Sequence, residues 1–310
     1  MSEFLERRRN KLKRGLMILV RTLGDVIIGN TLSKGIKAKF PDFELDWIVE
    51  AKYKNVLENN PDIKNIIAID EIGKDWDRVL RMAACDEYDE VFMFNQTSHT
   101  DSLWHHSDRY RFGHLLDFYA RRCGIPIPER KLFMYPSEED FLIVKAILEK
   151  EKIVNSKIVA IHTTTLVSAK DWNIEKFGEL AKFVSGKDFY VCQIGAPTDR
   201  KIEGNVIDFR GRFTFRQLAA FLRGCECFIG LDSGLSYIAA SQGIPVICIM
   251  GMSMPVTSGP FGDNIIHIEP TNLPPECAWR CHTNCKFGQY KECINTIGID
   301  RVIEAIEKVL

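Results

Sequence analysis

"CFIGLDSGLSYIAASQGIPVICIMG", residues 227–251, sets an acid, Asp232, between an apolar run and a chain of small residues. Cys227–Leu231 and Ile244–Met250 are short and apolar, while Ser236–Ser241 is small and helix-compatible. That order reads as strand, tight turn, helix, strand. Asp232, Ser233 and Gly234 then stand where a strand's carboxyl end meets a new helix, the place where open parallel sheets bind ligands.

The same alternation runs outward along the chain. Towards the N-terminus, Leu16–Arg21 reads as a strand and Val26–Phe40 as a helix ended by Pro41, followed by strands at Glu44–Val49, Ile63–Ile69 and Glu90–Phe94. Asp117–Arg122 continues a helix, Gly124–Pro128 breaks it, and Ser137–Lys152 is an amphipathic helix whose start is marked by Ser137 and Asp140. A second series follows, with strands at Lys157–His162, Phe189–Ile194, Val206–Phe209, Cys227–Leu231 and Pro245–Met250, and a helix expected after each of the first four. Gly298–Leu310 closes the chain as a helix with an apolar face of Val302, Ile303, Ile306, Val309 and Leu310. Strands alternating with helices make a parallel, doubly wound sheet, so the pattern predicts an α/β protein of two Rossmann-like lobes, residues 1–152 and 153–310. A chain of 310 residues suits two lobes.

Composition is that of a globular protein, 45% hydrophobic and 27% charged, with a formal net charge of -1 that gives no support to nucleic-acid binding. Met1–Gly15 carries six basic residues against two acidic ones, which suits either anionic lipid headgroups or a solvated N-terminal helix. The apolar stretch Leu16–Val20 is too short for a signal sequence or a membrane span. The expectation is a cytoplasmic protein, with a peripheral contact at the inner membrane surface left open. Of ten cysteines, Cys85, Cys123, Cys192, Cys225, Cys227 and Cys248 read as small core residues.

Four sites, and a cationic stretch beside them, could carry chemistry. In "RTLGDVIIGNTL", residues 21–32, Asp25 is either a helix cap or a carboxylate aimed into an interlobe cleft as a general base. In "IHTTTLVSAKDW", residues 161–172, hydroxyls, amides and Lys170 suit a phosphate oxygen, or else form an ordinary Thr-rich turn, with Trp172 packing beneath. In the opening stretch, Ser233 and Gly234 present amides at a helix start, which carries roughly half a positive charge. Two such turns in one lobe suggest a diphosphate, and Asp232 beside them suits the neutral hydroxyls of a sugar. Neither a G-x-G-x-x-G nor a P-loop follows a first strand, which argues against a nicotinamide enzyme. The fourth site is "CAWRCHTNCKFGQYKEC", residues 277–293, whose Cys277, Cys281, Cys285 and Cys293 could wrap one structural Zn or Fe or remain thiols or a disulfide pair. "HTDSLWHHSDRYRFGHLLDFYARRCG", residues 99–124, offers His105, His106, Arg109 and Arg111 as a cationic rim for an anionic acceptor, or an irregular polar loop. "DWD" at residues 75–77 has the letters of a metal-binding Asp-x-Asp, but it lies in an expected helix and reads as a solvated face.

The chain resembles glycosyltransferase family 9, the ADP-heptose:lipopolysaccharide heptosyltransferases. The resemblance is carried by "ILVRTLGDVIIGNTLSKGIKAKFPDFELDWIV" at 18–49, "HTTTLVSAKDWNIEKFGELA" at 162–181 and "FRQLAAFLRGCECFIGLDSGLSYIAASQGIPVICIMG" at 215–251. It implies the GT-B architecture, with the acceptor on the N-terminal lobe and the nucleotide sugar on the C-terminal one. It implies Asp25 as catalytic base, Lys170 with Thr164 and Thr165 on donor phosphate, Asp199 on the nucleoside and Phe213 in the base pocket. Asp232, Ser233 and Gly234 would meet the donor sugar and diphosphate. Tyr237 replaces a histidine usual in the family, and tyrosine is never cationic near neutral pH. The reaction implied is inverting transfer without a catalytic metal, from ADP-heptose to a glycan or lipid-linked acceptor such as lipopolysaccharide core. Against it stand a silent binding or assembly protein of the same fold, a metal or redox sensor built on the cysteines, and a protein-modifying heptosyltransferase with a structural metal.

Overall fold

A computed structural model describes residues 13–20, 22–94, 113–251, 253–271 and 292–310. The basic residues before position 13, the acceptor-rim candidates His105, His106, Arg109 and Arg111, and Cys277, Cys281 and Cys285 lie outside the described residues.

Among these residues, the first half forms a parallel sheet of β1 (Arg14–Ile18), β2 (Glu44–Glu50), β3 (Asn65–Ile69) and β4 (Glu90–Met93), in the order β3-β2-β1-β4. The second half adds β5 (Ile158–Ile161), β6 (Tyr190–Gln193), β7 (Ile207–Asp208), β8 (Cys227–Leu231), β9 (Val246–Ile249) and β10 (Ile265–Ile268), in the order β10-β9-β8-β5-β6-β7, again parallel. The longer helices are α1 (Leu23–Lys39), α2 (Ile72–Ala83), α3 (Leu115–Arg122), α4 (Glu138–Lys150), α5 (Ile174–Ser185), α6 (Phe215–Arg223), α7 (Gly234–Ser241) and α8 (Ile299–Val309). The inner strands β5, β8 and β9 are buried on both faces and read as continuous apolar runs, while the outer strands β3, β4, β7 and β10 are only partly buried.

Two expectations are corrected. No helix follows β6, because Gly195, Pro197 and Gly204 break the run, and Asp199 turns back to accept a hydrogen bond from the Ala196 amide. A further strand, β10, lies at the sheet edge. Of the six cysteines expected inside, Cys192, Cys225, Cys227 and Cys248 are buried, while Cys85 and Cys123 are partly exposed. Burial pushes the Cys192 and Cys227 thiols up to about 12, so both stay neutral packing groups.

Ser137 caps α4 in a reciprocal capping box with Asp140, as its sequence signal indicates. Although it precedes β5, α4 packs on α6 of the second half. Arg216, in the first turn of α6, reaches Asp140 at 2.6 Å and Glu58 at 2.8 Å. The closing helix α8 packs on the second sheet, burying Val302, Ala305 and Ile306. One apolar core runs through both halves, containing Val26 and Ile27 of α1 together with Tyr237 and Ile238 of α7.

Each sheet reverses its strand order once, between β1 and β4 and between β5 and β8. Asp25 follows β1, while the Thr-rich loop and Asp232-Ser233-Gly234 follow β5 and β8. All three candidate sites therefore fall at switch points.

Candidate active site

The chain leaves β1 through Thr22, a β-branched residue held at φ 44°. That backbone region is unfavourable for threonine and is tolerated where surrounding structure over-determines it. Thr22 caps α1, and its hydroxyl donates to Asp25 Oδ2 at 2.8 Å. Asp25 is thus a first-turn residue with its carboxylate aimed by Thr22, and the capping role belongs to Thr22. Tyr53 stands close by. Burial pushes its phenol up, and the negative charge of Asp25 adds to the rise. Lys52 lies over the Tyr53 ring at 4.9 Å and pairs with the buried Glu50 at 2.7 Å, at the carboxyl end of β2.

In the second half, Lys170 Nζ lies 2.5 Å from Asp232 Oδ2, and the carboxylate is buried. Lysine has three protons to give, so two remain for other acceptors. Ser233 caps α7 by accepting from the Leu235 amide at 3.3 Å. His162, buried at the end of β5, stands between the two turns. Its Nδ1 is 3.2 Å from Ser233 Oγ and its Nε2 is 3.4 Å from Asp199 Oδ2.

The threonines prove to be struts of their own loop. Thr163 is buried, donating to the Arg200 carbonyl at 2.7 Å and accepting from Gln193 Nε2 at 3.0 Å. The Thr164 hydroxyl oxygen accepts from the Arg200 amide at 2.9 Å, and the Thr165 amide donates to Asp171 at 2.8 Å. Trp172 is fully buried and donates to the Ile297 carbonyl at 3.1 Å, anchoring the loop as its size suggests. Phe213 stacks on Phe221 with ring centroids 5.0 Å apart and meets Phe209 edge-on.

The two halves meet at these same points. A Cβ on Gly234 would lie 2.5 Å from Leu23 Cβ, and one on Gly24 would lie 3.3 Å from the Tyr237 ring. The first turns of α1 and α7 are thus in contact, placing Asp25 and the Lys170, Asp232 and Ser233 cluster along one seam. Tyr237 itself donates its hydroxyl proton to the Ser258 carbonyl.

Residues 129–291 match the sequence model of glycosyltransferase family 9 (heptosyltransferase). The chain belongs to this family. It is a glycosyltransferase. The lipopolysaccharide core heptosyltransferase OpsX of Haemophilus influenzae is 22% identical over 301 residues, covering 84% of this chain and 86% of that one. A family 9 glycosyltransferase from Veillonella parvula superposes with a TM-score of 0.82 at 21% identity, covering 96% of this chain and 97% of that one. The iron-containing heptosyltransferase TibC of enterotoxigenic Escherichia coli, solved in complex with ADP-D-beta-D-heptose, has a TM-score of 0.69 at 16% identity, covering 96% and 77%. These likenesses establish the GT-B fold.

Within the family 9 frame, sequence reasoning missed His162, Arg200, Tyr53 and Lys52. His162 and Arg200 stand inside or beside stretches already singled out, and only folding gives them partners. Cys293, half-buried in the turn Glu292–Asn295, has its thiol 3.7 Å from the Gly251 carbonyl at the end of β9. Among the described residues no group of three or more His, Cys, Asp or Glu could hold a metal, and no helix is long and apolar enough to cross a membrane.

Proposed function

We propose that this chain moves a heptose from ADP-heptose to a glycan or lipid-linked acceptor, such as lipopolysaccharide core, by a single inverting displacement. The contact between the first turns of α1 and α7 supports the reading best, because it sets a carboxylate from one half beside the Lys170–Asp232 pair and the helix start of the other. Residues 1–152 would hold the acceptor and 153–310 the donor. The acceptor hydroxyl attacks the anomeric carbon while Asp25, steered by Thr22, takes its proton. The bond from that carbon to the diphosphate oxygen breaks on the opposite face, and its electron pair leaves with the phosphate. Lys170, with protons to spare beside Asp232, and the Gly234 amide at the start of α7 meet the growing charge, where one placed donor is worth roughly 3 kcal/mol. Asp232 addresses sugar hydroxyls, Asp199 the ribose and Phe213 the adenine. Thr164 and Thr165 shape the phosphate loop, and Tyr237 holds the seam beside the donor. No step calls for a catalytic metal.

The Asp25→Asn variant tests this reading. It should bind ADP-heptose within about twofold of the wild type and lose turnover by 10²–10⁴-fold or more, the scale of a lost general base. Calorimetry across ADP-, UDP- and GDP-linked sugars should favour ADP. Flat or absent binding across that panel overturns the assignment.

A second reading concerns the acceptor and rests on TibC, an autotransporter heptosyltransferase 28% identical over 120 residues to this chain. A protein hydroxyl would then be the acceptor, and Cys277, Cys281, Cys285 and Cys293 would hold iron, a donor set of thiolates suited to it. Metal analysis of the purified protein and mass spectrometry for a heptosylated protein separate the two.

A further inference from the structure

Arg216 stands in the first turn of α6, just beyond the helix cap Thr214, and the reaction scheme above makes no use of it. On α4, which packs on α6, its charge is already met. Its Nε lies 2.6 Å from Oδ2 of the buried Asp140. Burial pushes the Asp140 carboxyl up, yet hydrogen bonds from Ser137 and Arg216 hold it below its ordinary value, so the pair is ionised near neutral pH.

The rest of Arg216 reaches across to the first half. Its Nη1 donates to Glu58 Oε2 at 2.8 Å, and its backbone amide donates to Asn55 Oδ1 at 2.8 Å. That amide is one of those a helix start leaves without a partner in its own helix, because the Thr214 side chain serves Gln217 instead. A helix of the second half is thus capped in part by a side chain of the first. Asn55 Nδ2 also donates to Glu58 Oε2 at 3.2 Å, fixing the two acceptors relative to each other. Phe215 and Tyr53 meet beside them, with ring centroids 6.3 Å apart.

What lies on either side gives this clasp its use. The helical turn Lys54–Leu57 buries Val56 and Leu57 in the core and follows β2, whose neighbour β1 leads into Asp25. On the other side, Phe213 precedes α6 and stacks on Phe221 within it. The clasp therefore links the end of the first sheet that carries the base to the aromatic residues assigned to adenine.

We infer that Arg216 is a positioning residue for the transfer: anchored on Asp140, it grips Asn55 and Glu58 and so fixes the distance between the nucleotide pocket and Asp25. The inference rests on the nucleotide-sugar reading of the same cleft. A donor bound by the second half is then felt in residues 53–58 of the first, by way of Arg216.

Two variants break the clasp and leave Asp140 paired. Arg216→Lys keeps a cation for Asp140 but loses the forked reach to Glu58, and Glu58→Ala removes the acceptor. Hydrogen exchange read by mass spectrometry needs no acceptor substrate. Saturating ADP-heptose should slow exchange in peptides covering 53–58 of the wild-type protein, and much less in either variant. With heptose-less lipopolysaccharide core as acceptor, each variant should lose about tenfold in kcat, the scale of one lost charge-assisted hydrogen bond, while its Kd for ADP-heptose stays within about twofold of the wild type. The double variant should lose no more than either single one, because both remove the same interaction. Glu58→Gln, which still offers an oxygen, should recover part of the loss. A merely structural clasp would lower the melting temperature and leave turnover per donor-binding site and donor-dependent protection as they are. Unchanged kcat, additive losses, no donor-dependent protection of 53–58 in the wild type, or full protection in the variants overturns the inference and leaves the transferase reading standing. If the wild-type protein binds ADP-heptose but leaves this acceptor untouched, the proposed acceptor falls and the exchange comparison alone decides the inference. Failure to bind ADP-heptose at all overturns both.

Discussion

Lys170 and Asp232 are 62 positions apart, yet they form the shortest ion pair of the donor turns, with Asp232 nearly sealed from water. A buried carboxylate that loses its cation is costly. Lys170→Ala should therefore lower stability by about 2–3 kcal/mol as well as abolish donor binding. Adding Asp232→Asn should restore much of the stability and none of the binding, as urea denaturation and calorimetry would read. Both residues were legible as chemistry, because each sits just after a predicted strand. Their pairing was not, since nothing local to either stretch states that β5 and β8 are neighbours. The assignment of charge to ligand changes as a result: the lysine cannot be counted as a bare cation. Asp25 is the converse case: its place at the start of α1 was legible, the choice between cap and cleft-facing acid stayed open in the sequence, and the cap is Thr22.

At the scale of elements, the joint between α3 and the turn after β9 has its own titration. His114 caps α3, its Nδ1 accepting from the Leu116 amide at 3.1 Å while Nε2 donates to the Gly259 carbonyl at 2.8 Å. The ring is edge-on to Phe261, with Arg130, Asp117 and His267 as its charged or titratable neighbours. Burial pushes the His114 pKa below 6.5, and Arg130 and His267 add to that effect. Below about pH 6.5 the unfolded chain therefore binds more protons than the folded one, and stability falls as pH drops towards the folded pKa. The melting temperature should fall between pH 7.5 and 5.5, and less steeply in His114→Asn, which retains a side-chain acceptor for Leu116 but no titrating ring. His267, half-buried and with its pKa also lowered by burial, acts in the same direction, so the variant should reduce the slope without removing it. Most elements were legible from alternation and caps, such as Ser137 with Asp140. The edge strand β10 was not, because a four-residue stretch interrupted by His267 is too short for periodicity to separate strand from turn. After β6, helix-compatible letters were overruled by glycine and proline conformations and by Asp199 folding back.

Over the whole molecule, two parallel sheets followed from the rhythm of the chain, but their mutual placement did not. That placement depends on close approaches between residues about 200 positions apart in sequence, Gly234 on Leu23 and Gly24 on the Tyr237 ring. Such contacts leave no periodic trace, and only the general rule that ligands gather at switch points hinted at them. The seam is also where shape should control rate. In Gly234→Ala the new methyl would fall 2.5 Å from Leu23 Cβ, an atom near the backbone that cannot swing aside, so the first turn of α1 must move and carry Asp25 with it. A displacement of about 1 Å at a reacting group can cost on the order of 10²-fold in rate. Turnover of Gly234→Ala should fall by at least about tenfold, with a smaller proportional effect on donor affinity. Gly24→Ala, whose methyl meets the softer Tyr237 ring at 3.3 Å, should be milder. Leu23→Gly removes the three atoms nearest the Gly234→Ala methyl, Leu23 Cβ, Cγ and Cδ2. The double variant should therefore recover turnover relative to Gly234→Ala alone, despite the roughly 1 kcal/mol that glycine costs a helix. If steady-state kinetics instead found the two losses additive, the seam would be a fixed wall and not the device that sets the base against the donor.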